Sequence, residues 1–559
     1  MKFLSRKLIN YIKAKPLEAI IVFICYATIL VSFISGSREL FSRLQFELSE
    51  IASCDANLFF TVGKGMAKGF KPYVDYYENK PPMIFLLSEI SYLMTGGFYL
   101  VNISSFLCCV NLLAAPIGIG VVLAKRRGWS TLSTALAIVI LFTSSLFLLF
   151  YAEQRSGEIM CEIFGASALL DVLFCLAFLS NKKDIKFYHP LIIVAGAFLG
   201  IAIMFKEPFI LLGFFSLLFL VEKRDDIFKR VVLPCGYALI TVLFILLISN
   251  SFEGYFSIYL PNMINSRVTS NNSLVDRMKD FKRLFDDLDG FSRYLMIGTV
   301  VTLFVSSVRS ITMFEDEEKM YLKVIFRVIR ILLPFVYLYI ASLSVGLGGQ
   351  YFWHHFAFAL PFYYSLLLDT ASLVGDSTKE IKFYPFKKEY VSETFNEFAK
   401  PIPLFSLIIA VSLVGVTKYG IKKHEFKMKT EEMKNYVIKA KEHAKYIDEI
   451  LDAINEKNYL YIGFNGTDRP YCYTEHLPLG PTFVQDPDNF KKENWFTKSF
   501  RNDLNTTNVV VFNYCDDLSI KDEIYDYLNN NFTASLPMNA SSIKKPASFN
   551  YRLYFRNTI

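Results

Sequence analysis

The sequence predicts an α-helical polytopic membrane protein that carries a small α/β domain at its C-terminus. Composition points there first. Of 559 residues, 53% are hydrophobic and only 20% charged, with a mean hydropathy of +0.34, whereas soluble domains are about a quarter charged. Apolar runs come second. Crossing about 30 Å of hydrocarbon takes roughly 20 apolar residues, and runs near that length recur from Leu17 to Thr417. The third observation is a change of texture after Lys418, where charged and turn-rich segments take over. The 54 Phe residues suit lipid-facing helices better than a tightly packed soluble core.

The N-terminal stretch Met1–Lys15 is basic and precedes the apolar run Leu17–Ser35. That run is long for a signal-peptide core and lacks a small-x-small cleavage site, so it reads as an uncleaved first helix with a cytoplasmic N-terminus. Further spans are expected at Tyr99–Ala124, Thr131–Phe150, Glu158–Leu179, Pro190–Phe205 and Pro208–Val221. Five more follow at Val231–Ile248, Tyr294–Val308, Ile325–Val345, His355–Val374 and Pro403–Thr417. The pair around Lys206-Glu207-Pro208 is short, which predicts a broken or tilted hairpin. Pro81–Gly97 is apolar but contains Ser88, Glu89, Ser91 and Tyr92, and is barely long enough to cross.

The basic loops decide the placement of that segment. If it lies in the interface, Lys125-Arg126-Arg127, Asn181-Lys182-Lys183, Glu222–Arg230 and Lys379–Lys388 all face the cytoplasm. If it crosses, all of them face outward. Positive charge concentrates in cytoplasmic loops, so the expected topology has about eleven spans in the plasma (inner) membrane and an external C-terminus. Residues 1–417 then form a transmembrane domain with external loops at 36–80 and 250–293, and residues 418–559 a soluble extracytoplasmic domain. The tail opens with a charged helical stretch, Glu425–Asn455. It continues with strand-like runs at Tyr459–Phe464 and Asn508–Phe512, separated by turns such as Asn465-Gly466-Thr467-Asp468.

The net charge of +7 sits mostly in short loops and reads as topology, not as a nucleic-acid surface. Most of the nine Cys lie in apolar segments, and no CxxC or Cys/His spacing suggests a metal cluster. Cys472 and Cys515 both fall in the tail, as two free thiols or as a pair in an oxidising compartment.

By the same topology, unusual polar residues near membrane level gather on the outer side. They are Asp55; Asp75 and Lys80; Glu153, Arg155 and Glu158; Lys206 and Glu207; and Gln350, His354 and His355. Singly, each reads as a snorkelling or loop-end residue. A charge near a helix centre costs about 2.5–3.5 kcal/mol, and the convergence of five segments on one side marks a functional cavity.

These residues resemble a family. Asp55, followed by the stretch from Gly69-Phe70-Lys71-Pro72 through Tyr76-Tyr77-Glu78-Asn79-Lys80-Pro81-Pro82, is similar to the first external loop of GT-C glycosyltransferases, in the protein mannosyltransferase and aminoarabinose transferase branch (glycosyltransferase family 39-like). Arg155-Ser156-Gly157-Glu158, Phe205-Lys206-Glu207-Pro208 and Gly348-Gly349-Gln350-Tyr351-Phe352-Trp353-His354-His355-Phe356 resemble three further signatures of that branch, as does a soluble α/β tail. One departure is Ala56, where many relatives carry a second acidic residue. The resemblance implies an inverting transfer of a sugar from a polyprenyl-phosphate carrier to a lipid, glycan or protein acceptor outside the cytoplasm. No cofactor is evident; Ala56 weakens the expectation of a metal at this point, and use of a divalent ion stays open.

The residue types suit that chemistry. Attack of an acceptor hydroxyl on an anomeric carbon needs a general base opposite the leaving phosphate, and Asp55 is the candidate. Fixed cations must stabilise the phosphate as it leaves; Lys80, Arg155, Lys206 and His354 are the candidates, with His355 as the alternative to His354. Tyr73, Tyr76 and Tyr77 either stack on a sugar or belong to the interfacial aromatic belt. Glu158 either binds a cation or acceptor or pairs with Arg155, and Asp75 is a candidate cap of the Lys80-Pro81-Pro82 turn. A transporter or flippase is the rival reading. Such proteins show internal repeats and mid-membrane charges, but no repeat is visible here and the charges sit at helix ends.

Overall fold

The computed structural model describes residues 11–47, 54–153, 161–179, 186–221, 226–268, 291–311, 319–345, 353–376, 402–423, 430–463, 469–485, 487–490 and 493–557. They divide into two compact units. One comprises Met1–Leu44, Ser104–Leu243 and Ser270–Phe426; the other comprises Gln45–Ile103, Phe244–Thr269 and Lys427–Ile559.

Each of the eleven predicted spans coincides with a helix. Seven of these are long and apolar enough to cross a membrane: Pro16–Arg38, Tyr99–Arg127, Thr131–Tyr151, Cys161–Leu179, Phe228–Ile248, Met320–Val345 and His355–Asp376. Phe291–Ile311 and Ile402–Lys423 are also helical. The last two predicted spans are the short helices Pro190–Phe205 and Phe209–Phe219, about 24 and 17 Å long at 1.5 Å per residue. They are separated where Lys206 turns extended ahead of Pro208, so the expected broken hairpin is present.

In the first unit the Cys161–Leu179 helix is buried on nearly every side, as befits a sequence apolar all round. Gly165 lets the Phe209 ring lie against it, since a Cβ there would come within 2.0 Å of that ring. Gly196 and Gly200 are four residues apart on one face of Pro190–Phe205. Their missing side chains admit the Leu233–Ile248 helix, with Tyr237 Cβ 2.3 Å and Thr241 Cβ 2.7 Å from where a Cβ would stand. This is the small-xxx-small packing by which membrane helices approach closely.

In the second unit the helices Cys54–Ala67 and Met83–Thr95 pack as a pair. At 13 residues the latter rises about 20 Å, short of about 30 Å of hydrocarbon; Gly96 ends it in the left-handed conformation. Gly63 sets the contact, because a Cβ would meet Ser88 Cβ at 2.5 Å and Glu89 N at 2.6 Å. The tail contributes the amphipathic helix Thr430–Ala453, in place of the expected 425–455, and a mixed five-stranded sheet. Its strands are β1 (Asn458–Ile462), β2 (Leu477–Pro478), β3 (Val509–Phe512), β4 (Phe532–Thr533) and β5 (Arg552–Arg556), in spatial order β2-β1-β3-β5-β4. β1 runs parallel to β2 and β3, and β5 is antiparallel to β3 and β4. The central strand β3 is four buried residues, Val509-Val510-Val511-Phe512, the continuous apolar run of a strand covered on both faces. The predicted turn 465–468 lies outside the described residues. Cys472 and Cys515 are separate buried thiols, which burial pushes up to about 12 and about 11.

The tail does not stand by itself. It shares its compact unit with residues 45–103, and the joint is specific. Tyr76 Oη donates to Pro478 O at 2.6 Å, Tyr77 N to Pro481 O at 2.9 Å, and Lys68 Nζ to Glu475 O at 2.6 Å. Lys64, whose ammonium burial pushes down, donates to Thr474 O.

Candidate active site

Asp55 lies in the first turn of Cys54–Ala67, where a carboxylate is favoured by the helix dipole. Lys80 ends the loop that returns to the next helix. Its Nζ is 3.9 Å from Asp55 Oδ2 and 3.6 Å from Glu78 Oε1, and donates to Asn79 Oδ1 at 2.9 Å. The Phe59 ring lies 5.7 Å below the same ammonium. Lys80 and Glu78 side chains are each 14% exposed and Asp55 is 32% exposed, so the carboxylate is the accessible member.

The loop is held by Tyr73. Its φ of 68° puts a bulky residue in the left-handed region, a conformation that persists only where surroundings over-determine it. Here they do. The ring is fully buried against Phe85, Tyr255 and Tyr259, and its hydroxyl donates to Lys80 O at 2.7 Å. Gly254 allows Pro72 O to approach, since a Cβ there would stand 2.7 Å from it. Tyr73 therefore fixes the backbone that presents Lys80.

Several expectations change. Asp75 does not cap the Lys80-Pro81-Pro82 turn; its Oδ2 accepts from Lys71 N at 2.6 Å and closes the preceding turn. Tyr76 belongs neither to an interfacial belt nor to an open sugar platform. It is buried against Phe70 and Phe483, with Tyr77 against Trp495 and Phe496, because the tail covers this side of the loop. Both residues are structural supports.

In the other unit Lys206 Nζ is 3.7 Å from Glu162 Oε1, a carboxylate only 1% exposed. Sequence reading passed over Glu162 in favour of Glu158, four residues earlier in the chain. Its signal was its place in the first turn of an otherwise apolar helix. His355 is buried, with Nδ1 3.1 Å from Val345 O, to which it donates, and its ring against Phe358. Arg155, Glu158 and Gln350 lie outside the described residues, as does the His354 side chain. Among the described residues no group of three or more His, Cys, Asp or Glu could hold a metal ion.

No protein-family model and no curated protein matches the chain. Solved structures do. ArnT from Cupriavidus metallidurans bound to undecaprenyl phosphate superposes with a TM-score of 0.53 over 94% of this chain and 97% of that one, at 13% identity. The chain has a GT-C fold. The apo form of the same ArnT matches over the same spans with a TM-score of 0.50 and 13% identity. The GT-C fold here is an integral membrane bundle with a small C-terminal sheet, as its apolar helices and β1–β5 require.

Proposed function

We propose that this protein is an inverting glycosyltransferase that moves a sugar from a polyprenyl-phosphate carrier to an acceptor on the extracytoplasmic side of the plasma membrane. The observation that carries the reading is the pairing of a partly exposed Asp55 with the cation Lys80 on one loop of a GT-C fold. Support for the carrier is that a solved protein of this fold, ArnT, binds undecaprenyl phosphate.

In this mechanism Asp55 accepts the proton of the acceptor hydroxyl as that oxygen bonds to the anomeric carbon. The bond from that carbon to the phosphate oxygen breaks, and its electron pair leaves on the phosphate. Lys80 meets that charge; Arg155, Lys206 and His354, with His355 as the alternative to His354, are the further candidate cations. A lysine is a compact point charge on a flexible four-carbon stem, so the ammonium beside Asp55 can swing onto a phosphate without moving the loop. Inversion follows from a base and a leaving group on opposite faces of the sugar. The domain division at residues 417 and 418, an external tail and a cytoplasmic N-terminus belong to the same reading and rest on the basic loops.

The test is transfer from a polyprenyl-phosphate sugar by purified Asp55→Asn protein. Transfer is expected to vanish while the protein elutes and melts like wild type; near-normal turnover overturns Asp55 as base. Lipid translocation without covalent transfer by the wild type would return the protein to the transporter reading.

A further inference from the structure

The segment that follows the Leu233–Ile248 helix takes no direct part in that chemistry, yet it lies against the loop that does. The helix gives way at Asn250, whose φ of 50° is the left-handed form that Asn tolerates at a helix end, and Ser251 N donates to Leu246 O at 3.0 Å. Helix resumes at Phe252 and continues to Val268. Its second stretch, Tyr255–Tyr259, is wound as a π-helix, with Leu260 N donating to Tyr255 O five residues back. Such turns are rare and recur at functional sites.

The winding decides which side chains share a face. On an α-helix, residues five apart point about 140° away from each other. A π turn returns a residue to the face of the one five before it, so Gly254 and Tyr259 meet the same neighbour. A Cβ at Gly254 would stand 2.7 Å from Pro72 O, 3.1 Å from Tyr73 Cβ and 3.2 Å from Val74 Cγ2, so the helix backbone lies directly on residues 72–74. Tyr259, fully buried, sets its ring 4.8 Å from that of Tyr73 and stacks on Tyr255 at 5.0 Å. The hydroxyl of Tyr73 then passes the constraint to Lys80, whose carbonyl it meets at 2.7 Å.

We propose that the turn Gly254–Tyr259 is a clamp that positions Lys80, with Tyr259 as a positioning residue that acts through Tyr73. Tyr73 keeps its φ of 68° only while it is held there. Loss of the Tyr259 ring lets the backbone relax, takes the Tyr73 hydroxyl away from Lys80 O, and moves the ammonium from its place 3.9 Å from Asp55 Oδ2. The clamp is a matter of geometry within this unit; its effect on sugar transfer rests on the glycosyltransferase reading.

The test follows Lys80 itself. Full-length protein in detergent is treated with an amine-acylating reagent, and modification of Lys80 is compared by mass spectrometry with that of the exposed Lys498. Melting and transfer kinetics are measured on the same samples. Tyr259→Ala should acylate severalfold faster at Lys80 but not at Lys498. It should also lose about 10²-fold in kcat, the scale of a misplacement of about 1 Å, with the KM for acceptor retained. Tyr259→Phe, which keeps the ring, should match wild type throughout. Gly254→Ala suits a helix at φ −63° but drives a methyl group toward Pro72 O, and should follow Tyr259→Ala. Unchanged acylation of Lys80 in Tyr259→Ala, or a rise shared by Lys498, overturns the clamp. Intact kcat beside lowered melting overturns it too, leaving the ring a purely structural part. Should Tyr259→Ala not fold, Gly254→Ala decides by the same readings. If the acylation pattern holds while the wild type transfers no sugar, the clamp stands and the glycosyltransferase reading falls.

Discussion

Lys80 is the residue on which the proposed transfer would most depend, because its ammonium is bracketed by Asp55 and Glu78 and its backbone is fixed by Tyr73. Removing one charge aimed at a developing oxyanion typically costs about 10²–10³ in kcat. Lys80→Met should show a loss of that order with the melting temperature retained; a change in KM alone would make Lys80 a binding residue only. A second residue-scale prediction concerns the tail. Burial pushes the Asp503 carboxyl up to about 7, from about 3.9 in an unfolded chain. The folded domain thus favours the neutral acid. Its contribution to stability is complete below about pH 4 and is lost as the pH rises to about 7. Thermal unfolding of wild type and Asp503→Asn between pH 5 and 8 should therefore diverge, with wild type losing stability relative to the variant. Parallel curves would show that Asp503 ionises in the fold as freely as in the chain.

At the scale of elements, one close approach positions Asp55 and Lys80. Asp55 and Lys80 belong to segments joined through the packing of Cys54–Ala67 on Met83–Thr95, and Gly63 sets that distance. A Cβ at Gly63 would collide with Ser88 Cβ and with the backbone at Glu89, and backbone cannot step aside as a side-chain tip can. Gly63→Ala is expected to cost about 1–3 kcal/mol, the range for overpacking, and to reduce transfer by separating Asp55 from Lys80. Unchanged melting and turnover would mean the helix pair slides without consequence. The short helices show how much was legible here. Lys206-Glu207-Pro208 between two apolar runs too short to span marks a break in any reading, and the break is there. The Gly196-xxx-Gly200 contact was equally visible as spacing, but its partner helix was not, since one sequence does not say which faces meet.

At the scale of the molecule, the tail packs with residues 45–103 rather than apart from them, through Tyr76, Tyr77, Lys64 and Lys68. Ending the chain before residue 427 would expose the Tyr76 ring and strip its hydroxyl of Pro478 O. The truncated protein should insert in the membrane yet lose transfer, with the loop at 68–80 newly open to protease. Full turnover by the truncated form would make the tail a dispensable module. Reporters fused after Arg127 and at the C-terminus should report opposite sides of the membrane, cytoplasmic and external; an external Arg127 overturns the eleven-span topology.

The sequence by itself determined the membrane class and the helix positions and singled out Asp55 and Lys80 as candidates, because length, apolarity and local spacing are properties of adjacent residues. Only the tertiary structure decided that Tyr76 is a buried joint, that Asp75 closes the Lys71 turn, that Glu162 meets Lys206, and that Asp369 and Asp376 gather arginines from distant helices. The physical reason is common to all four. A polar side chain looks the same in sequence whether it serves water, substrate or a distant partner, and only the fold brings its partner within hydrogen-bonding or ion-pairing reach.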